Sequence, residues 1–244
     1  MTKFVIQAAN INGYLIPAFD FCYEAIQAIT YQNWYRNSKD FDFVLVEKDS
    51  EKYYDYIPIG SVEFVVNRMC NKYKLKNIRP LNIPEELFPF AKRKIANLSR
   101  DKVWDEFSDC KRVFVKSNNK IKEFTDILER GEYLPNISNF QVSEEIEILT
   151  EWRCFVKNEK LLDIKCYSGD IDIFPNIKEI KKMIASYNNA PPAYTIDVAV
   201  NDKGETVIIE CHNFFSCGLY GFSDYRYLLD MFIKAYYWQI DHAI

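Results

Sequence analysis

The stretch Tyr194-Thr-Ile-Asp197-Val-Ala-Val200-Asn-Asp-Lys-Gly204-Glu-Thr-Val-Ile-Ile-Glu210-Cys-His-Asn213 consists of two β-branched runs around a polar turn. Tyr194–Val200 and Glu205–Cys211 alternate about Asn201-Asp-Lys-Gly204, the pattern of a β-hairpin. With the turn centred on Asp202-Lys203, Val200 faces Glu205 and Asp197 faces Ile208. Residues two apart share a face. Asp197 and Glu210 then lie diagonally on one side, roughly 7–8 Å apart at their backbones, within reach of a shared hard cation. His212 continues the Glu210 face, and Asn213 joins it through a twist at the strand end. The carboxylate face also carries Thr195, Ala199 and Ile208. It is too apolar for a wet surface, so carboxylates placed there need partners.

Upstream, Gln141–Leu149, Glu151–Val156 and Leu161–Tyr167 read as three successive strands, followed by a helix over Asn176–Asn188. Downstream, Leu228, Met231, Phe232 and Ala235 form the stripe of a terminal helix, Ser223–Gln239. The N-terminal part alternates strand and helix: Phe4–Ala8, Phe21–Tyr31, Phe43–Glu47, and a helix capped by Ser61 and running to about Tyr73. That order implies a small α/β unit. Arg79-Pro-Leu-Asn-Ile-Pro84 is a connector. It opens a polar, amphipathic helical stretch from about Glu85 to Phe107. Arg112–Lys116 is a strand, and Thr125–Arg130 a short helix ended by Gly131. The expected division is an N-terminal α/β subdomain over 1–80 and a second domain over 81–244.

Of the 244 residues, 48% are of hydrophobic type, enough for a sizeable core. The net charge of −4 with no basic stripe speaks against a nucleic-acid surface. No apolar run is long enough to span a bilayer, and Met1-Thr-Lys-Phe-Val-Ile lacks signal-peptide anatomy. The seven cysteines include no Cys-x-x-Cys pair and read as free, mostly buried thiols in a reducing, cytoplasmic compartment.

Three further motifs carry charge into apolar strands or turns. Val113-Phe-Val-Lys116 ends in a strand lysine. Glu151-Trp-Arg153 places a guanidinium, able to grip a phosphate or acyl phosphate with two parallel bonds. Lys165 lies opposite Arg153 if the turn at Asn158-Glu-Lys160 has three residues, and on the other face if it has two.

Taken in order, Tyr194-Thr-Ile-Asp197, Val207-Ile-Ile-Glu210-Cys-His-Asn213 and Gly218-Leu-Tyr-Gly221 resemble the closing hairpin of ATP-grasp proteins. The likeness is to a divergent clade marked by one arginine and two lysines, which includes a eukaryotic assembly factor for translation initiation and many phage and bacterial proteins. Ile57-Pro-Ile-Gly-Ser-Val-Glu-Phe-Val65, Val113–Lys116, Lys122-Glu-Phe-Thr125, Gln141-Val-Ser-Glu144 and Glu151-Trp-Arg153 are similar to the clade's other motifs. Two positions depart from the pattern. Ser117 follows the strand lysine where proline is usual, and His212 stands at the asparagine place of the usual Glu-x-Asn metal motif, with Asn213 next.

The resemblance implies a compact α/β (α+β) ATP-grasp-like fold, with ATP held between about 110–145 and 146–244. It implies Lys116 on the α- and β-phosphates, with Lys122, Glu144, Arg153 and Lys165 as further nucleotide-side residues, Arg153 and Lys165 also acting in catalysis. It implies Mg2+ on Asp197 and Glu210, with His212 or Asn213 as third ligand. The activity implied is an ADP-forming ligation of a small-molecule, peptide or protein carboxylate to an amine. The alternative is an ATP-binding assembly module that holds a partner protein without ligation.

Overall fold

The computed structural model describes residues 1–78 and 80–243; Arg79, the first residue of the expected connector, lies outside the described residues. Two compact units emerge. The first comprises Met1–Ile78, Pro191–Tyr194 and Asn213–Ile244, the second Arg79–Ala190 and Thr195–His212.

In the first unit, β1 (Thr2–Ile11) is central. It runs parallel to β3 (Phe41–Val46) and β4 (Ile57–Ile59), and its end pairs antiparallel with β2 (Tyr14–Pro17). Phe4, Val5 and Ile6 are fully buried, as a strand flanked on both sides by parallel partners requires. Helices α1 (Asp20–Tyr35), α2 (Val62–Tyr73) and α5 (Tyr225–Asp241) complete the unit. Ser61 caps α2 as expected, its Oγ accepting from Phe64 N–H at 3.1 Å. The terminal helix α5 packs on α1, where Gln32 Nε2 donates to Tyr225 O at 2.6 Å and Tyr225 Oη to Glu24 at 2.6 Å.

The second unit contains two four-stranded sheets. One is antiparallel in the order β5 (Ile95–Ser99), β8 (Asn139–Glu144), β6 (Arg112–Ser117), β7 (Thr125–Glu129). Val103, Phe107, Val113, Val115, Phe140 and Val142 form its core. The other sheet has the order β10 (Lys160–Gly169), β9 (Ile148–Lys157), β11 (Ala193–Asn201), β12 (Thr206–Asn213). Helix α4 (Ile177–Ser186), capped by Asn176, packs near β10. Among the described residues, no helix is long and apolar enough to cross a membrane, and all seven cysteines are free, four of them buried.

Two expected helices are not helices. The stretch Glu85–Phe107 divides into a 3-10 turn at Glu85–Ala91, strand β5, a second 3-10 turn at Arg100–Lys102 and α3 (Val103–Glu106). Pro89 lacks the donor a helix needs, Lys92 turns left-handed at φ +53°, and Ile95–Ser99 satisfies its backbone on β8 instead. Thr125–Arg130 contains strand β7, zipped to β6 from Lys116↔Thr125 to Arg112↔Glu129. Its β-branched Thr125 and Ile127 suit that pleated edge.

Strand β10 closes at Gly169, which has φ +83° and faces Thr150 of β9. A Cβ there would stand 2.1 Å from Leu149 O and 2.8 Å from Thr150 Cα, both backbone atoms that cannot swing aside. Gly131 also has positive φ, at +96°, but open space around it. Gly131→Ala should therefore cost only the left-handed penalty of about 1–2 kcal/mol, and Gly169→Ala clearly more. Urea-unfolding midpoints of the two variants check this; equal losses would contradict the packing assigned to Gly169.

Candidate functional site

The site is built around a buried ion pair on neighbouring strands of the second unit. Arg153 of β9 donates through Nε to Asp197 Oδ1 at 2.9 Å and through Nη2 to Oδ2 at 2.7 Å. Arg153 is 6% exposed and Asp197 3%. Burial alone would push the Asp197 carboxyl up. Hydrogen bonds from Arg153 and His212, and the charge behind them, outweigh it and hold the carboxyl below its usual range. The Arg153 guanidinium also stacks over the Tyr167 ring, 5.7 Å from its centroid, and Tyr167 Oη donates to Glu151 at 2.9 Å.

His212 of β12 joins this pair to the second carboxylate. Its Nε2 is 3.3 Å from Asp197 Oδ2 and 3.0 Å from Glu210 Oε2. Burial, with the Arg153 and Lys116 charges, pulls the imidazole below its usual pKa against the opposing pull of Asp197. On its other side Glu210 pairs with the ammonium of Lys116, which comes from β6 of the other sheet. Burial pulls Lys116 down to about 8, against the Asp197 carboxylate that would raise it. One chain of charge thus runs Arg153, Asp197, His212, Glu210, Lys116.

The hairpin register differs from the sequence-based expectation. Asn201 N–H donates to Glu205 O at 3.1 Å, and Gly204 N–H to Asn201 O at 2.9 Å. Asn201, not Val200, therefore faces Glu205. Gly204, at φ +74°, adds a residue to the turn, which becomes a three-residue loop with a glycine in the left-handed region. Alternation counted from that turn does not by itself carry Glu210 to Asp197; the two carboxylates are joined through the imidazole.

The β9–β10 turn has two residues, Asn158 and Glu159, both at positive φ. On its own it would put Lys165 and Arg153 on opposite faces. A bulge leaves Leu162 without a partner, between Leu161↔Val156 and Asp163↔Phe155, and the shift restores Lys165↔Arg153. Lys165 itself pairs with Asp163 at 3.0 Å.

The other expected residues have local engagements. Lys122 is exposed in the turn between β6 and β7, at φ +55°. Ser117 N–H closes that turn on Phe124 O at 3.0 Å, a bond a proline at this place cannot make. Glu144 accepts from Lys94 N–H at 2.8 Å, so its side chain steadies the β5–β8 edge. Asn213 belongs to the first unit, where its amide oxygen accepts from Gln239 Nε2.

Beside Lys116 and Glu210 lies a small pocket of about 40 Å³, also lined by Asn82, Arg93, Gln141 and Ser143 and by Ile95, Phe114 and Ile209. Drug-sized ligands occupy roughly 300–1,000 Å³, so the Lys116–Glu210 contact keeps this space closed. A larger open depression of about 860 Å³ near Arg100, Trp104 and Tyr133 shares no lining residue with it or with the ion chain. Arg93 is the residue that sequence reasoning missed. It donates to Ser143 Oγ at 3.2 Å and Ile208 O at 3.1 Å, and burial pulls it down to about 10. A strand reading of Ile95–Ser99 would have placed this cation at a strand mouth; the helix reading hid it.

Two buried polar atoms near these groups, Asn82 Oδ1 and Thr195 Oγ1, have no hydrogen-bond partner. Thr195 lies two residues before Asp197 on β11 and so shares its face. Orphaned acceptors beside two carboxylates and an imidazole fit a site that takes a polar ligand and a cation. Among the described residues no three His, Cys, Asp or Glu side chains form a ready cation cage, because Arg153 and Lys116 already neutralise the carboxylates.

The family model for the ATP-grasp domain, family 2 of the clade with one arginine and two lysines, matches residues 90–229. No curated protein matches the chain. Among solved structures the chain is similar to D-alanine–D-alanine ligase from Bacillus anthracis, at 14% identity over 99% of each chain with a TM-score of 0.51. It is also similar to N5-carboxyaminoimidazole synthetase from Staphylococcus aureus, at 10% identity over 98% of this chain and 77% of that one, TM-score 0.58. D-cycloserine synthetase matches at 8% identity over 98% of this chain and 99% of that one, TM-score 0.56. At such identities the likeness is one of fold. The family match, spanning more than half of the chain and enclosing both ion pairs of the site, shows that this protein belongs to the ATP-grasp family, in family 2 of that arginine-and-two-lysine clade.

Proposed function

We propose that this protein is an ATP-dependent, ADP-forming carboxylate–amine ligase whose site is the charge chain from Arg153 to Lys116. The observation that carries the reading is the pairing of a strand lysine with one carboxylate, Lys116 with Glu210, beside a second carboxylate held by arginine. A polyphosphate competes with Glu210 for Lys116, and a freed Glu210, with Asp197, is the donor set a divalent cation takes. Mg2+, when bound, neutralises phosphate charge and holds the phosphates in line.

In this reading Lys116 binds the α- and β-phosphates, with Arg93 as a second cation at the same pocket and Lys122 approaching from the β6–β7 turn. Glu144 keeps its strand in place so that backbone groups can meet the base. The substrate carboxylate attacks the γ-phosphorus and ADP leaves. The resulting acyl phosphate is captured by an amine, which forms the amide and releases phosphate. Arg153 and Lys165, opposite each other on β9 and β10, stabilise the charge on the transferring phosphoryl group. No side-chain nucleophile is required, since positioning and charge neutralisation carry such a reaction. A cytoplasmic setting suits the free thiols.

A second reading is an assembly module that holds Mg-ATP and a partner protein without turnover. The exposed aromatics of the first unit favour it: Tyr14, Trp34 and Tyr35 are 75%, 74% and 67% exposed.

Two measurements test these readings. Mg-ATP at a hundredfold excess over Kd should stabilise the protein by about 2.7 kcal/mol, a rise in thermal midpoint of roughly 5–10 °C at this length. Lys116→Ala and Asp197→Asn should abolish that rise, with the unliganded variants checked for folding by urea unfolding. No rise in the wild type would rule out both readings. Arg93→Ala should weaken ATP binding about tenfold or more, the scale on which a hydrogen bond to a charged group contributes; unchanged affinity would remove Arg93 from the site. ADP release on a panel of amino acids and peptides separates the two readings, with binding but no turnover favouring the assembly module.

A further inference from the structure

Of the two histidines in the chain, His242 is exposed and stacked on Trp238, with centroids 4.3 Å apart and Nδ1 2.9 Å from Trp238 O. His212 stands between two carboxylates, and the same nitrogen meets both. Nε2 is 3.3 Å from Asp197 Oδ2 and 3.0 Å from Glu210 Oε2. Ligand atoms about 2.1 Å from a common cation lie roughly 3.0 Å apart along an octahedral edge and 3.4 Å along a tetrahedral one. The three donor atoms thus already stand at the mutual spacing of ligands on one ion. A Nε2–H proton directed at the carboxylates occupies the place the ion would take. Arg153, bonded to both oxygens of Asp197, supplies the outer contact that fixes a ligating carboxylate.

The neighbouring amide offers no equal donor. Asn213 is buried, and its side-chain oxygen accepts from Gln239 within the first unit. The donor set around the carboxylates is therefore two oxygens and one imidazole nitrogen. Mg2+ takes oxygen ligands and keeps its waters, whereas first-row transition ions accept imidazole readily. Mn2+ takes carboxylate and phosphate oxygens as well, so it suits a site that must also hold a polyphosphate.

We propose that His212 is a direct ligand of the nucleotide-associated cation and turns the preference of this site from Mg2+ toward Mn2+. The inference rests on the nucleotide reading above and deepens it.

The test is pulsed EPR on full-length protein with Mn2+ and ATP, with natural and with 15N-labelled histidine. The expected result is a 14N imidazole modulation that changes to the 15N pattern on labelling, which separates histidine from the adenine nitrogens. It should survive in His242→Gln and vanish in His212→Asn. Losing a partner beyond the ligands already costs about 10- to 100-fold in metal affinity. Displacement of Mn2+ by Mg2+ should accordingly become at least about tenfold easier in His212→Asn. Bound Mn-ATP with no histidine coupling in the wild type overturns the proposal, and that measurement stands whether or not the variant folds. Wild-type protein that binds no Mn-ATP overturns the nucleotide reading itself, a different failure from the first.

Discussion

A guanidinium and a carboxylate buried side by side on β9 and β11 set the terms for everything around them. Desolvating each ion costs several kcal/mol, and mutual attraction offsets this only with good geometry and further hydrogen bonds. Arg153 and Asp197 meet that condition with two parallel N–H···O bonds and a third contact from His212. The pair keeps Asp197 ionised despite its burial. It also fixes which way the carboxylate points, since rotating it would break both bonds. Removing one partner alone would leave an uncompensated buried charge, so the two behave as a unit.

The second pair has the opposite character. Lys116 and Glu210 come from different sheets of the same unit, and both are partly exposed, at 17% and 24%. Burial already disfavours the ammonium, so a polyphosphate that supplies more negative charge competes well for it. Arg153–Asp197 is therefore the fixed half of the site and Lys116–Glu210 the exchangeable half, with His212 between them. Such an arrangement couples phosphate binding to the release of a carboxylate without any new residue being brought in. It also accounts for a closed pocket beside a cluster rich in polar groups.

The elements of the site were legible where local pattern and pairing agree. The alternation in Thr195–Val200 and Val207–Cys211 marks the hairpin, and the acids in so apolar a setting mark it as a place needing partners. Alternation failed where an extra residue enters a strand. Gly204 lengthens one turn by a residue, and the bulge at Leu162 reverses what the turn at Asn158-Glu159 would do to Lys165. Arg93 was hidden for a related reason: Glu85–Phe107 carries helical spacing, yet Pro89 and the open edge of β8 draw it into a turn and a strand. Thr125–Glu129 likewise became strand because β6 offered it a ladder.

By itself the sequence determined the α/β texture of the N-terminal part, the hairpin with Asp197 and Glu210, and the strand positions of Lys116 and Arg153, because side-chain period and turn chemistry are local properties. Only the tertiary structure decided which cation sits on which carboxylate, that Lys165 lies opposite Arg153, and that His212 rather than Asn213 stands at the carboxylates. Those outcomes depend on pairing between strands far apart in the chain and on single-residue bulges, and a one-residue shift in either moves a side chain to the other face.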